Sequence, residues 1–147
     1  MSVRQVGVEE ELLLVDPATG RLTAVSRQAV RAHDAVPAAD APVEAELFLQ
    51  QIETQTPPTT VLGELDTALR RSRRAVGEAA AQAGAAAVAV GTPVLVDGRV
   101  TITPQPRYLR IRQEYAELAH SALACAIGDG SATATTCPPA ASIPGTM

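Results

Sequence analysis

The chain is poor in the residues that usually build large cores or bind nucleic acids. Aromatic residues make up only 2% of its 147 positions, and tryptophan is absent. Because aromatic side chains usually supply much of a core's buried area, small aliphatic side chains must fill this one. Acidic residues outnumber basic ones and give a net charge of −4. This balance argues against a general nucleic-acid binder, whose affinity would depend on basic groups that face phosphates.

Other protein classes are disfavoured for similar reasons. Cys125 and Cys137 are too few to predict a disulfide framework or a zinc site, and His33 and His120 lie far apart in the sequence. No window approaches the run of about 18 apolar residues that a membrane helix requires. The first residues lack the charged and apolar regions of an export signal. We therefore expect no membrane association and a cytoplasmic location.

The first third of the chain has the pattern of a strand, a turn and a helix. Apolar residues alternate with polar ones over residues 3–15, which predicts a strand. The segment Asp16-Pro17-Ala18-Thr19-Gly20 predicts a turn, after which residues 21–24 would pair with the first strand. Ser26 is a candidate cap for a helix that runs to about residue 36.

The remaining elements predict an α+β fold with several helices and hairpins. A second strand is expected over residues 43–56, and a long amphipathic helix follows Thr59 and Thr60 and ends at Gly84. A strand of small residues is expected over 85–91. A hairpin over 94–102 about Asp97-Gly98 and a helix over 107–123 complete the expected elements.

Glu9 and Glu11 are candidate metal ligands. They lie two positions apart in the predicted strand, so that their side chains project from the same face of the sheet. Side-by-side carboxylates repel each other unless a cation joins them, and hard oxygen ligands suit Mg²⁺ or Mn²⁺. The alternative is a solvated sheet face on which the glutamates serve solubility. Glu10 points to the other face, where an arginine of a packed helix is a candidate partner.

A second acidic segment contains Glu44, Glu46 and Glu53. If this segment pairs antiparallel with the first strand, Glu53 and Glu46 would face the same cleft as Glu9 and Glu11. Several carboxylates in one cleft are typical of phosphoryl-transfer sites, where they hold metal ions on ATP. The alternative is an edge strand whose charges prevent aggregation.

The order of several segments resembles one enzyme family. The segments are Val6-Gly7-Val8-Glu9-Glu10-Glu11, Gln51-Ile52-Glu53-Thr54-Gln55-Thr56-Pro57, the long helix that ends at Gly84, Ala89-Val90-Gly91-Thr92-Pro93 and Arg107-Tyr108-Leu109-Arg110. They resemble the start of bacterial glutamate–cysteine ligase type 2, or carboxylate–amine ligase, proteins. The resemblance covers roughly residues 3 to 125.

The resemblance implies a partial glutamine-synthetase-like fold, with an antiparallel sheet, helices packed on one face, and a concave face for ATP, divalent metals and glutamate. It implies formation of an amide between glutamate and an amine such as cysteine through an acyl phosphate. Glu9 and Glu53 would be metal ligands, with Glu11 beside them and Glu46 a weaker candidate. The same resemblance implies that Arg107, Tyr108 and Arg110 bind substrate through contacts with a carboxylate or phosphate. The alternative is that the arginines are surface residues near the start of a helix.

The chain departs from the family pattern after Cys125. The family continues into a Cys-Gly-x-His-Val-His type strand, whereas this chain has Ala126-Ile127-Gly128-Asp129. We therefore expect residues 1–125 to be the first part of a ligase domain and residues 126–147 to be a disordered tail, as a truncated or frameshifted gene would give. The expected product is an inactive fragment. The alternative is a module without catalytic activity that binds a nucleotide–metal complex, or another copy of itself through an open sheet edge.

The arginines of the long helix are expected to lie on its solvated surface. Arg70, Arg71, Arg73 and Arg74 cover several sides of one helical turn, so a role in phosphate binding is the less favoured interpretation.

Overall fold

A computed structural model describes residues 3–37, 41–91, 93, 95 and 100–115. Within these residues there are four strands and three helices, listed here in chain order: β1 (Glu9–Val15), α1 (Ser26–Asp34), β2 (Val43–Ala45), β3 (Gln51–Gln55), α2 (Leu62–Gln82), β4 (Ala86–Val88) and α3 (Pro106–Glu114). The predicted α+β class is confirmed.

The four strands form one antiparallel sheet in the order β2-β3-β1-β4. The central pair is β1 with β3, in which Glu11 lies opposite Glu53 and Leu12 lies opposite Ile52. Because side chains alternate along a strand, this register sends the leucine and isoleucine to one face and both glutamates to the other.

Helices α1 and α2 cover the apolar face of the sheet. The main core cluster consists of leucine, isoleucine, valine and alanine side chains: Leu12, Leu14, Ala29, Val43, Ile52, Val76, Ala79, Ala80 and Ala85. The buried residues of α2 all lie in its second half, whereas Leu62 at its start is 77% exposed. The expected apolar stripe of this helix is therefore confirmed only where the helix crosses the sheet.

Helix α2 ends in a way that the sequence predicts. Gly84 has a positive φ of 76°, and Gly20 has a similar value of 71°. The amide of Gly84 donates to the carbonyl of Ala81 and the amide of Ala85 to that of Ala80, at 3.0 and 2.9 Å. These two bonds form a Schellman motif, which stops the helix and directs the chain into β4.

Glu10 has the partner that its position predicts. It lies on the helix-covered side of β1, where Arg73 of α2 donates to both of its carboxylate oxygens at 2.6–3.1 Å. The Glu10 side chain is 16% exposed, so this two-pronged ion pair is partly shielded from solvent. Arg73 is thus bound to the sheet rather than simply solvated.

The predicted strand over residues 43–56 is wrong as a single element. Residues 46–50 leave the sheet between β2 and β3, and the two short strands pair with each other instead. The intervening segment pairs with residues 101–103: the amide of Leu49 donates to Thr101, and that of Thr103 donates to Leu47, both at 2.8 Å. A pairing so distant in sequence leaves no local pattern.

The first strand begins later than predicted, at Glu9. Before it, the amide of Val8 donates to the side-chain oxygen of Thr56 at 2.9 Å. Pro57 and Pro58 follow Thr56 and have no amide hydrogens, so the regular ladder with β3 stops there and resumes only as an isolated bridge between Val6 and Thr59.

Two smaller predictions near the turn also have clear outcomes. The turn at residues 16–20 brings Val15 opposite Leu22 in an isolated bridge, so the hairpin forms with a single pair and no second strand. Ser26 is the first residue of α1, not its cap, and its buried hydroxyl has no hydrogen-bond partner in the described part of the chain.

Several predictions fall outside the described residues: the turn at Asp97-Gly98, the end of the last helix beyond residue 115, and the tail at residues 126–147. Among the residues that are described, no helix is both long enough and apolar enough to cross a membrane.

Substitution of Leu14 tests the assignment of the two sheet faces. Leu14 is fully buried, so Leu14→Ala should lower the free energy of unfolding by about 3 kcal/mol through lost burial and a residual cavity. Leu13→Ala removes the same atoms from the half-exposed opposite face and should cost clearly less. Urea denaturation of both variants measures the difference, and equal costs would contradict the assignment.

Candidate active site

The open face of the sheet carries a row of polar side chains. Glu9 and Glu11 of β1 lie on it with Glu53 of β3, which is directly opposite Glu11 and diagonal to Glu9. Gln51, also of β3, points its amide nitrogen at the carboxylate of Glu11 at a distance of 3.5 Å. The pairing of β1 with β3 therefore places Glu9, Glu11 and Glu53, the main metal-ligand candidates from the sequence, on one face of the sheet.

Glu46 reaches the same place from the segment between β2 and β3. The backbone carbonyl of Glu46 accepts a hydrogen bond from the hydroxyl of buried Thr103 at 2.5 Å, which fixes the segment against residues 101–103. The side chain of Glu46 is 17% exposed and its carboxyl adjoins that of Glu53. Glu46, the weaker candidate for a metal ligand, thus lies beside Glu53.

Helix α3 brings an arginine and a tyrosine to Glu46. The hydroxyl of Tyr108 lies 3.1 Å from a carboxylate oxygen of Glu46 and 3.2 Å from the carbonyl of Ala45. Arg107 donates to the same hydroxyl and lies 3.6 Å from the Glu46 carboxylate. Tyr108 is 2% exposed, whereas the Arg107 side chain is 62% exposed, so the tyrosine is structural support and the guanidinium faces solvent.

The clustered carboxyls alter one another's protonation. Burial, followed by the hydrogen bond and charge of Glu46 and by the charges of Glu9 and Glu11, raises the pKa of Glu53 to about 7. Burial and the charge of Glu46 also raise the pKa of Glu11. Partial burial and like charge both disfavour the ionised form of the Glu53 carboxyl.

The contacts of Arg107 near Glu46 stabilise its guanidinium group as a cation. The hydrogen bond to Tyr108 and the charges of Glu46 and Glu53 raise the pKa of Arg107. Burial is the main cause that raises the pKa of Tyr108, so its hydroxyl stays protonated and is a hydrogen-bond donor. The site therefore has an anionic end on the sheet and a cationic end at the start of α3.

One predicted residue is not joined to this cluster. Arg110 lies on α3 one turn beyond Arg107, and it is exposed and makes no hydrogen bond or ion pair with the described residues. Its expected role in substrate binding stays a prediction, as do the metal-binding roles of the four glutamates.

The donor set can be tested for its fit to a divalent cation. No group of three acidic, histidine or cysteine side chains converges as a complete cage in the described part of the chain. Mg²⁺ usually needs only one or two protein carboxylates, because water and substrate phosphates complete its octahedron. The opposed pair Glu11 and Glu53 meets that requirement. Beside it, the buried side-chain oxygen of Gln51 has no partner among the described residues, as an acceptor near a cation site would.

Gln51 also lies on the open face of the sheet, although the sequence analysis did not predict it as a site residue. It lies two positions before Glu53 in the same strand, so the alternation that places Glu53 on the open face also places Gln51 there. The alternation of side chains along the strand therefore predicts the position of Gln51, but a search for acidic residues alone does not include this amide.

Comparison with known proteins identifies the family of the chain. The model of "Glutamate-cysteine ligase family 2 (GCS2)" matches residues 5–130. The chain belongs to this family. The match spans every element that builds the carboxylate face, from β1 to the start of α3. No solved structure matches the chain.

Individual relatives of glutamate–cysteine ligase family 2 give the same result. A protein of Paenarthrobacter aurescens, provisionally named glutamate–cysteine ligase 2-3, is 40% identical over 124 residues, which are 84% of this chain and 28% of that protein. A protein of Nocardioides, provisionally named glutamate–cysteine ligase 2-1, is 34% identical over 130 residues, which are 84% of this chain and 34% of that protein. One from Mycolicibacterium smegmatis, named 2-3, is 40% identical over 119 residues, which cover 81% and 32%. The chain therefore spans about a third of the length of these relatives.

The raised pKa of Glu53 makes stability depend on pH. Between the ordinary glutamate value of 4.5 and about 7, the folded state binds more protons than the unfolded state, so stability should fall as pH rises through this window. Since the side chain is only partly buried and is screened by solvent, the loss should be on the order of 1 kcal/mol. Urea denaturation from pH 4.5 to 8 measures it.

Glu53→Gln is the matched variant for this measurement. The amide cannot ionise, so the variant should lose most of the decline and should be the more stable protein at pH 8. A wild-type slope in Glu53→Gln would show that another group titrates.

The two tyrosines of the chain provide a test of the support at Glu46. Tyr108→Phe removes a buried hydroxyl that is bonded to Glu46 and Ala45, and it should lower the free energy of unfolding by about 1 kcal/mol. Tyr115→Phe is the control, because Tyr115 is 53% exposed and should tolerate the change. Similar effects of the two substitutions in thermal denaturation would argue against the bonded arrangement.

Proposed function

We propose that the chain is the first part of an ATP-dependent carboxylate–amine ligase whose substrates are glutamate and an amine such as cysteine. The observation that carries the proposal is the cluster of Glu9, Glu11, Glu46 and Glu53, where burial, together with the hydrogen bond and charges of the other carboxyls, raises the pKa of Glu53 to about 7. A divalent cation bound with ATP would offset the repulsion among these carboxylates.

The sheet face would hold the metal ions. Glu11 and Glu53 project side by side from paired strands, and the carboxyls of Glu9 and Glu46 are near enough to Glu53 to raise its pKa. When bound, Mg²⁺ or Mn²⁺ would neutralise charge on the transferring phosphoryl group. The carboxylates act by electrostatics and are not nucleophiles.

The α3 end of the site would bind a substrate anion. Arg107 is anchored by Tyr108 yet remains 62% exposed, so donors of its guanidinium are available for a carboxylate or phosphate. Arg110, one turn further along the exposed surface of α3, would add a second positive charge. Glu46 connects this basic end to the carboxylate face.

The reaction in this proposal has two steps. The γ-carboxylate of glutamate attacks the γ-phosphorus of ATP, forming an acyl phosphate and releasing ADP. The amine then attacks the acyl carbon, and inorganic phosphate leaves as the amide forms. This chain's residues contribute by positioning the phosphates and by balancing charge.

We further propose that residues 1–147 do not complete this reaction alone. The chain spans 28–34% of the length of the three relatives described above, and its described residues bring to the proposed site only the acidic sheet face and the basic end of α3. Binding without turnover is the expected behaviour.

Calorimetric titration with ATP in the presence of Mg²⁺ tests the binding step. The wild-type chain should bind, and the double variant Glu11→Gln/Glu53→Gln should bind about tenfold more weakly, because both sheet carboxylates at the centre of the cluster are lost. Asp34→Asn, an acid-to-amide change at the end of α1, is the control and should bind like wild type.

Two results would contradict this proposal. One is the absence of Mg²⁺-dependent ATP binding, and the other is an affinity that Glu11→Gln/Glu53→Gln leaves unchanged. Release of ADP in the presence of glutamate and cysteine tests the second claim, and sustained turnover by the purified 147-residue chain would refute it.

A further inference from the structure

A groove of about 580 Å³ lies between α1 and α2, in the helix layer that covers the opposite face of the sheet from the carboxylates. Its rim has three arginines of α2 (Arg70, Arg71 and Arg74) and His33 of α1. Its apolar lining comes from small side chains, mainly Ala32, Ala75 and Ala79. The carboxylate site of the proposed ligase uses none of these residues.

The groove is positive in a chain that is negative as a whole. Three arginines face one acidic lining residue, Glu78, so the lining has a net charge of about +2 with histidine neutral. Asp66 lies outside the lining and pairs with Arg70 at 2.9 Å, which still leaves an excess of one positive charge. The chain carries −4 overall, and four of its 12 basic residues, all arginines, fall within residues 70–74.

Arg70 and Arg74 carry the positive charge on which this site depends. Arg70 and Arg74 are one helical turn apart, a spacing at which like charges destabilise a helix. Arg74 makes no hydrogen bond or ion pair with the described residues, and Arg70 remains 75% exposed despite its bond to Asp66. Arg71 has contacts of its own, so it adds its charge to the groove but is not counted as a free donor. Arg73, by contrast, points to the sheet and is bound by Glu10.

We propose that this groove binds a small organic phosphate. Guanidinium groups match phosphate oxygens with two parallel hydrogen bonds, and two arginines one turn apart on the same helix present such groups together. The volume lies within the range of small-molecule sites, and the alanine lining offers contact to the organic part of the ligand. The ligand needs no metal, because the arginines supply the positive charge.

Titration followed by NMR tests this site separately from the ligase site. The 147-residue chain is labelled with ¹⁵N and titrated with adenosine monophosphate and with inorganic phosphate, in EDTA and at constant ionic strength. Shifts in α1 and α2 should saturate together, and they should do so independently of any shifts at the basic end of α3. The nucleotide should bind at least about threefold more tightly than phosphate, because it also contacts the alanine lining. Without Mg²⁺ the carboxylate face should repel both anions.

Substitutions identify the groups that bind. Arg70→Gln/Arg74→Gln should weaken nucleotide binding about tenfold, since two charged donors are lost. Arg27→Gln removes one charge from the exposed side of α1, outside the groove, and should change affinity less than about twofold. Arg74→Lys keeps the charge without the two-pronged geometry and should lie between wild type and the double variant. All three positions are exposed, and unchanged ¹⁵N spectra outside the groove would verify folding.

The proposal is overturned if binding does not saturate, if phosphate binds as tightly as the nucleotide, or if the shifts map to β1 and β3. An equal loss in Arg27→Gln would also overturn it, because that result would mean that net charge alone attracts the anion. Failure of the ligase proposal would appear differently, as a loss of Mg²⁺-dependent ATP binding that depends on Glu11 and Glu53.

Discussion

The pairing register of β1 with β3 is the constraint on which both faces of this molecule depend. It places Leu12 opposite Ile52 beneath the helices and Glu11 opposite Glu53 on the open face. A slip of one residue would bury the glutamates and expose the core. The cost of burying unpaired carboxylates is several kcal/mol, so the apolar core and the acidic site enforce the same register.

The sequence predicts the elements that follow a local period and fails where a distant segment decides the outcome. Alternation around Leu12 and Leu14 predicts β1 and its two faces, and it even predicts an arginine partner for Glu10. Residues 43–56 also look like a strand, yet their middle leaves the sheet to pair with residues 101–103. That pairing joins parts of the chain more than 50 residues apart, so no local window contains it.

The candidate site was predictable in the same uneven way. Glu9, Glu11 and Glu53 follow from strand period and pairing, whereas the position of Glu46 depends on the departure from the sheet that local pattern does not reveal. The few aromatic residues are informative here. Phe48 and Tyr108 are both buried, and both lie at the junction between the segment after β2 and the start of α3. The scarce large side chains thus stabilise the contact that brings Arg107 to Glu46.

The acidic face differs from the other acidic groups of the chain in how its charge is balanced. Glu10 is held by Arg73, and Glu64 accepts a hydrogen bond from Thr59 at 2.6 Å. Asp16 accepts bonds from Thr19 and Ala18, and the Thr19 bonds lower its pKa. Each of these carboxylates has a donor within the fold.

Glu53 has carboxyl neighbours instead, and its pKa rises to about 7 as a result. Chains generally satisfy local rules except where function requires otherwise, so an unbalanced group beside balanced ones indicates a site built for something outside the chain. The same reasoning applies with opposite sign to Arg74, which has no acidic partner in the described structure although Arg70 and Arg73 each have one. The two proposals, a cation on the open face of the sheet and an anion at the helix layer, therefore rest on the same kind of observation, a charge that the described structure does not balance.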